Sequence, residues 1–118
     1  MGARVNFVFI QDDTGKNITL YSHWGADTWE VDLAYALDKA RPRWEDTSYG
    51  TRIVVSQLIG NQHDEETGFG LFVSDETDYT SESWAENVMV DFVKKEVNDT
   101  AFDIFVNYGL AKGEYQDA

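Results

Sequence analysis

Val5-Asn6-Phe7-Val8-Phe9-Ile10, then Asp12-Asp13-Thr14-Gly15, then Ile18-Thr19-Leu20-Tyr21-Ser22, is the stretch whose reading decides the fold. Apart from Asn6, the first six residues are β-branched or aromatic, which fits a strand buried on both faces or nearly so. The Asp-Asp-Thr-Gly segment supplies turn chemistry, and the second apolar run completes a β-hairpin. The domain is built outward from that hairpin.

Downstream, Asp27 stands three residues before Glu30 as a capping-box-like start, with Trp29, Leu33, Ala36, Leu37 and Ala40 at helical spacing. A helix over about Thr28 to Ala40 is expected, ended by Pro42, the only proline. Asp46-Thr47-Ser48 offers a further N-cap, with Tyr49, Ile53, Ser56 and Ile59 on one helical face and Gly60 as the stop. Ile53-Val54-Val55 argues for a strand instead; the cap and the spacing favour a helix. Gly68 to Val73 and Val88 to Val93 read as third and fourth strands, the latter reaching as far as Val97. Between them, Asp75 to Asn87 is an acidic connection around Trp84. Thr100 followed by Asp103 marks a last short helix with Gly109 as terminator, and the tail from about Lys112 is expected to fray. Without strand–helix–strand alternation, the expected architecture is a single α+β domain over residues 1–118. It would hold a mainly antiparallel sheet of about four strands and two or three helices.

Composition bounds the chemistry. At 118 residues the chain suits one core, and its 42% hydrophobic content is too high for a disordered acidic tail. The absence of cysteine removes disulfides, thiol nucleophiles and zinc-thiolate sites. No apolar run approaches the roughly 20 residues that span a bilayer, and Met1-Gly2-Ala3-Arg4 leads into a charged, alternating segment, so an intracellular protein off the membrane is expected.

The net charge of −13 is unevenly placed. Residues 1–63 carry eight acidic and six basic side chains, whereas residues 64–118 carry fourteen acidic and three basic. A field of that sign repels nucleic acid and anionic lipid and attracts basic surfaces. Direct nucleic-acid binding is therefore not expected. The plainer meaning of the same charge is solubility or salt adaptation.

Against this background, His23, Trp24, Arg41, Arg43, Trp44, Tyr49 and Arg52 form a local basic and aromatic cluster, holding three of the four arginines. Guanidinium forks hold phosphate or carboxylate, and indole or phenol rings stack on bases, so this is a candidate site for a nucleotide or another anionic small molecule. A catalytic version would use His23 as general acid or base. The competing reading packs the tryptophans in the core and pairs the arginines with Asp27, Glu45 or Asp46. Asp75, Glu76, Asp78, Glu82 and Glu86, with Trp84 as anchor, form the candidate face for a basic partner.

Other signatures are missing. His63 before Asp64-Glu65-Glu66 lacks metal-ligand spacing, and there is no Gly-x-Ser-x-Gly elbow, no Gly-x-x-x-x-Gly-Lys loop and no Gly-x-Gly-x-x-Gly. No catalytic residue, metal or cofactor is assigned. The sequence supports binding or inhibition over catalysis.

Gly2-Ala3-Arg4-Val5-Asn6-Phe7-Val8-Phe9, Leu20-Tyr21-Ser22-His23-Trp24-Gly25, Ala40-Arg41-Pro42-Arg43-Trp44 and Glu66-Thr67-Gly68-Phe69-Gly70 together resemble a group of small proteins of unassigned role encoded by tailed bacteriophages. The likeness covers residues 2–73 and carries no active site with it. It implies a phage genome as the source and the host cytoplasm as the place of action. Three roles follow as expectations: an acidic protein that binds or inhibits a host protein with a basic surface, a sequestering protein for a phosphate-bearing ligand, or a virion or assembly component. A homo-oligomer is compatible with each.

Overall fold

The computed structural model describes residues 4–12, 14, 16–23, 27–75 and 86–117. Strand β1 (Val5–Ile10) forms the expected hairpin with β2 (Lys16–Ser22), in a register running from Val5 opposite Ser22 to Ile10 opposite Asn17. Helix α1 (Trp29–Lys39) and helix α2 (Thr47–Ile59) follow, joined by a 3₁₀ turn at Arg41–Arg43 that contains Pro42. Strand β3 (Phe69–Asp75) pairs antiparallel with β2. Strands β4 (Glu86–Asp91), β5 (Glu96–Val97) and β6 (Thr100–Ala101) precede helix α3 (Phe102–Asp117).

These make an α+β fold, but the sheet differs from the expected one. It has six strands among the described residues, in the order β3-β2-β1-β4-β5-β6, and it is mixed. β1 runs parallel to β4, from Val5 opposite Glu86 to Ile10 opposite Asp91, while the other four pairings are antiparallel. The reason lies in β1. A strand with apolar side chains on both faces belongs in the middle of a sheet, so the second edge of β1 takes β4, with its buried Val88 and Val90, while β3, exposed at Leu71, Phe72 and Val73, lies outside β2. The expected fourth strand also stops short of Val97. Asp91 Oδ1 accepts from the backbone N–H of Val93 and of Lys94, at 2.9 and 3.0 Å, and turns the chain back into β5.

Alternation along the strands sorts two faces. Val5, Phe7, Phe9, Leu20, Val88 and Val90 point toward the helices and form one core with Leu33, Ala34, Leu37, Val54, Phe102, Phe105 and Val106. Asn6, Val8, Asn17 and Thr19 are also buried but lie on the opposite face. There the cross-strand pair Asn6 and Asn87 is joined, Nδ2 to Oδ1, at 3.0 Å.

The N-cap of α2 is the expected Asp46, whose Oδ1 accepts from Tyr49 N–H at 3.1 Å. Burial of Val54 between helix and sheet outweighs the β-preference of Ile53-Val54-Val55. The cap of α1 differs from expectation: Thr28 occupies it, and its hydroxyl donates to Asp32 Oδ2 at 2.8 Å. Gly109 does not terminate α3, which passes through it because the glycine lies against α1. The tail from Lys112 forms the last turns of that helix, to Asp117.

Candidate functional site

The residues singled out in the sequence divide into separate local arrangements. Arg41, Arg43, Trp44 and Tyr49 lie on the 3₁₀ turn and the first turn of α2. The Arg41 guanidinium carbon sits 4.5 Å from the Trp44 ring centre, with an amino nitrogen 3.3 Å from Asp38 Oδ1. Arg43 lies 4.9 Å from the Tyr49 ring centre and 3.9 Å from Asp46 Oδ2. Trp44 donates its indole N–H to the Leu37 carbonyl at 2.9 Å and meets Phe102 edge to face at 5.2 Å. One helical turn on, Arg52 donates to Ser56 Oγ at 3.3 Å.

His23 stands apart from these. It follows Ser22, opposite Val5, with its Nδ1 2.7 Å from the Tyr21 hydroxyl. Arg52 belongs to the other end of β1, where the neighbouring Thr51 accepts from the Gln11 amide at 3.1 Å. The intervening strand spans roughly 16 Å. Trp24 lies outside the described residues, as do Glu76, Asp78, Glu82 and Trp84 of the candidate acidic face. Asp75 ends β3, and Glu86 is exposed at the start of β4. His63 pairs with Asp64 at 3.0 Å on the surface, and among the described residues no three His, Asp or Glu side chains gather to hold a metal ion.

A different region draws chemistry together. At the carboxyl ends of the parallel pair, β1 leaves toward β2 on one side and β4 toward β5 on the other. Diverging chains at such a point leave a crevice. Here, on the face away from the helices, it is a cavity of about 340 Å³, open at its mouth and bordered by Asp12, Asn17, Asp91, Lys94, Glu96 and Asp99. The far wall is held by tight turns. Asn98 and Asp99, with φ of 46° and 75°, form the two-residue loop between β5 and β6, and Lys95 has φ 58°. The Asn98 side chain carries the sheet one step further by accepting from Met89 N–H at 2.8 Å.

Among the described residues the rim is negative, with four carboxylates against Lys94. Asp12 is kept ionised: its Oδ1 accepts from the Thr14 hydroxyl at 2.6 Å and from the Thr14 N–H at 2.9 Å, which lowers its pKa below the usual carboxylate range. Asn17 is only 2% exposed, and among the described residues neither its Nδ2 nor its Oδ1 has a hydrogen-bond partner. Sequence reading missed this place. Asp12 registers as turn chemistry and Asn17 as part of an Asn-Ile-Thr pattern, and nothing in a lone chain marks which asparagine will be closed off from water.

Comparison with protein-family models, with curated proteins and with solved structures finds no match. Among the described residues, no helix is long and apolar enough to cross a membrane.

Proposed function

We propose that this chain is a small acidic interaction protein that binds and blocks a partner with a basic surface. Its source, on the resemblance described above, is a phage genome, and its place of action the host cytoplasm. The observation that supports this reading is the way the ion pairs are distributed. Lys95 pairs with Glu45 at 3.2 Å and Lys112 with Glu30, so two of the three lysines beyond residue 63 neutralise carboxylates of the front half. Arg41 and Arg43 pair with Asp38 and Asp46, also in the front half. Among the described residues, Glu65, Glu66, Glu86, Asp91, Glu96, Asp99, Asp103 and Glu114 enter no ion pair. Uncompensated charge of one sign speeds the approach of a basic partner and makes the association salt-sensitive.

The test is capture from a bacterial lysate with the whole chain at physiological and at high salt, beside a variant carrying Glu96→Gln, Asp99→Asn and Asp103→Asn. A specific partner held at physiological salt, and released both by salt and by the triple substitution, is the expected result. A partner retained equally by the neutralised variant, or no specific partner, overturns the proposal.

A further inference from the structure

The cavity at the carboxyl ends of β1 and β4 goes beyond that reading, since its dimensions suit a small molecule and not a protein surface. Its volume of about 340 Å³ is in the range of small-ligand pockets. Two independent features define what would fit. The first is charge: among the described residues, Asp12, Asp91, Glu96 and Asp99 border the cavity with Lys94 as the one cation of the lining. Asp12 and Asp91 each use Oδ1 to hold a turn, which fixes both carboxylates in place before any ligand arrives.

The second feature is Asn17. Strand alternation puts its side chain on the same face as its cross-strand neighbour Ile10, which also lines the cavity. Its amide has lost water on both the donor and the acceptor side and gained nothing in return. A buried amide left in that condition destabilises the fold, and buried polar groups in folded proteins are otherwise nearly always satisfied. A guest carrying an acceptor as well as N–H donors would satisfy both atoms.

We infer that this cavity is a binding site for a small organic cation that bears a hydroxyl or carbonyl oxygen beside its charged nitrogen, the chemistry of an amino alcohol or amino sugar. The ammonium group faces the carboxylates. An N–H of the ligand donates to Asn17 Oδ1, and Asn17 Nδ2 donates to the neighbouring oxygen. No covalent step is involved.

The experiment follows the side-chain amide and backbone signals of the full chain by two-dimensional NMR while glucosamine, cyclohexylamine or glucose is added. The Asn17 amide signal is identified by its loss in Asn17→Leu. Glucosamine is expected to shift the signals of Asn17, Asp91 and Asp99 saturably. Cyclohexylamine, with the same single charge but no oxygen, and glucose, lacking the charge, are each expected to bind at least about tenfold more weakly, the factor one hydrogen bond or charge contact supplies. Asn17→Leu should weaken glucosamine by a similar factor while raising the melting temperature, and Asp103→Asn, outside the cavity, should bind as the parent chain does. Equal binding of glucose or cyclohexylamine overturns the ligand class. If Asn17→Leu raises the melting temperature but no probe moves the cavity signals of the parent chain, the amide is served by buried water alone and the site is refuted.

Discussion

A Cβ built on Gly109 would lie 2.2 Å from the Ala34 methyl and 2.9 Å from the Glu30 carbonyl oxygen, so α3 meets α1 at a separation only glycine permits there. On helix propensity alone, Gly109→Ala would stabilise α3 by up to about 1 kcal/mol. Overpacking of a rigid interface costs more, typically about 1–3 kcal/mol. Gly109→Ala is therefore expected to destabilise the fold, seen as a lower denaturant midpoint; an unchanged or higher midpoint would contradict this packing.

The loop between β5 and β6 holds Asn98 and Asp99 at positive φ, a conformation in which Asn-Gly is the favoured pair. Replacing Asp99 by glycine removes side-chain strain, and a gain of about 0.5–1 kcal/mol is expected. Asn98→Ala acts in the opposite sense, because it loses the bond from Met89 N–H and keeps the strained φ. A loss of about 1–3 kcal/mol is expected, and chemical denaturation of the two variants should move in opposite directions.

Lys112 and Glu30 clasp α3 to α1, and the hydrogen bond to Glu30 raises the lysine pKa above its ordinary value. The sign follows from linkage. A raised folded pKa gives a contribution that is complete below the unfolded value of about 10.4 and lost as pH rises through the folded one. Thermal melts of the parent chain should fall more steeply in that alkaline range than those of Lys112→Met. Parallel curves would show that the clasp does not titrate with folding.

Trp44 joins the 3₁₀ turn to the core through its bond to the Leu37 carbonyl, its edge contact with Phe102 and the Arg41 guanidinium over its ring. Trp44→Phe keeps an aromatic ring and leaves the carbonyl without this donor, which should cost about 1 kcal/mol; Trp44→Ala should cost about 3 kcal/mol. Equal losses in calorimetry would mean that the ring does not pack as described.

Among the described residues β3 is an edge strand, with Leu71 and Val73 60% and 76% exposed and Phe72 also exposed. An apolar edge invites pairing between chains. Val73→Lys should reduce association in light scattering as concentration rises, while stability changes by no more than about 0.5 kcal/mol. Unchanged association with a folded variant would acquit the edge.

The sequence by itself determined the local elements. The apolar runs at residues 5–10 and 18–22 marked the hairpin, the Asp46 cap and Gly60 bounded α2, the order of elements made the fold α+β and composition made the chain acidic, because these signals act within a few residues or need no structure at all. Partner choice between distant strands was decided only in three dimensions. β1 accepts β4 in parallel because burying both of its faces and both of its edges is a property of the whole sheet. Gly109 was indistinguishable from a helix terminator until α1 lay against it. The same holds for the cavity: Asp12 and Asn17 are far in the chain from Asp91 and Asp99, and the two pairs become neighbours only where two strands diverge. Whether the Asn17 amide meets water depends on what tertiary packing places over it.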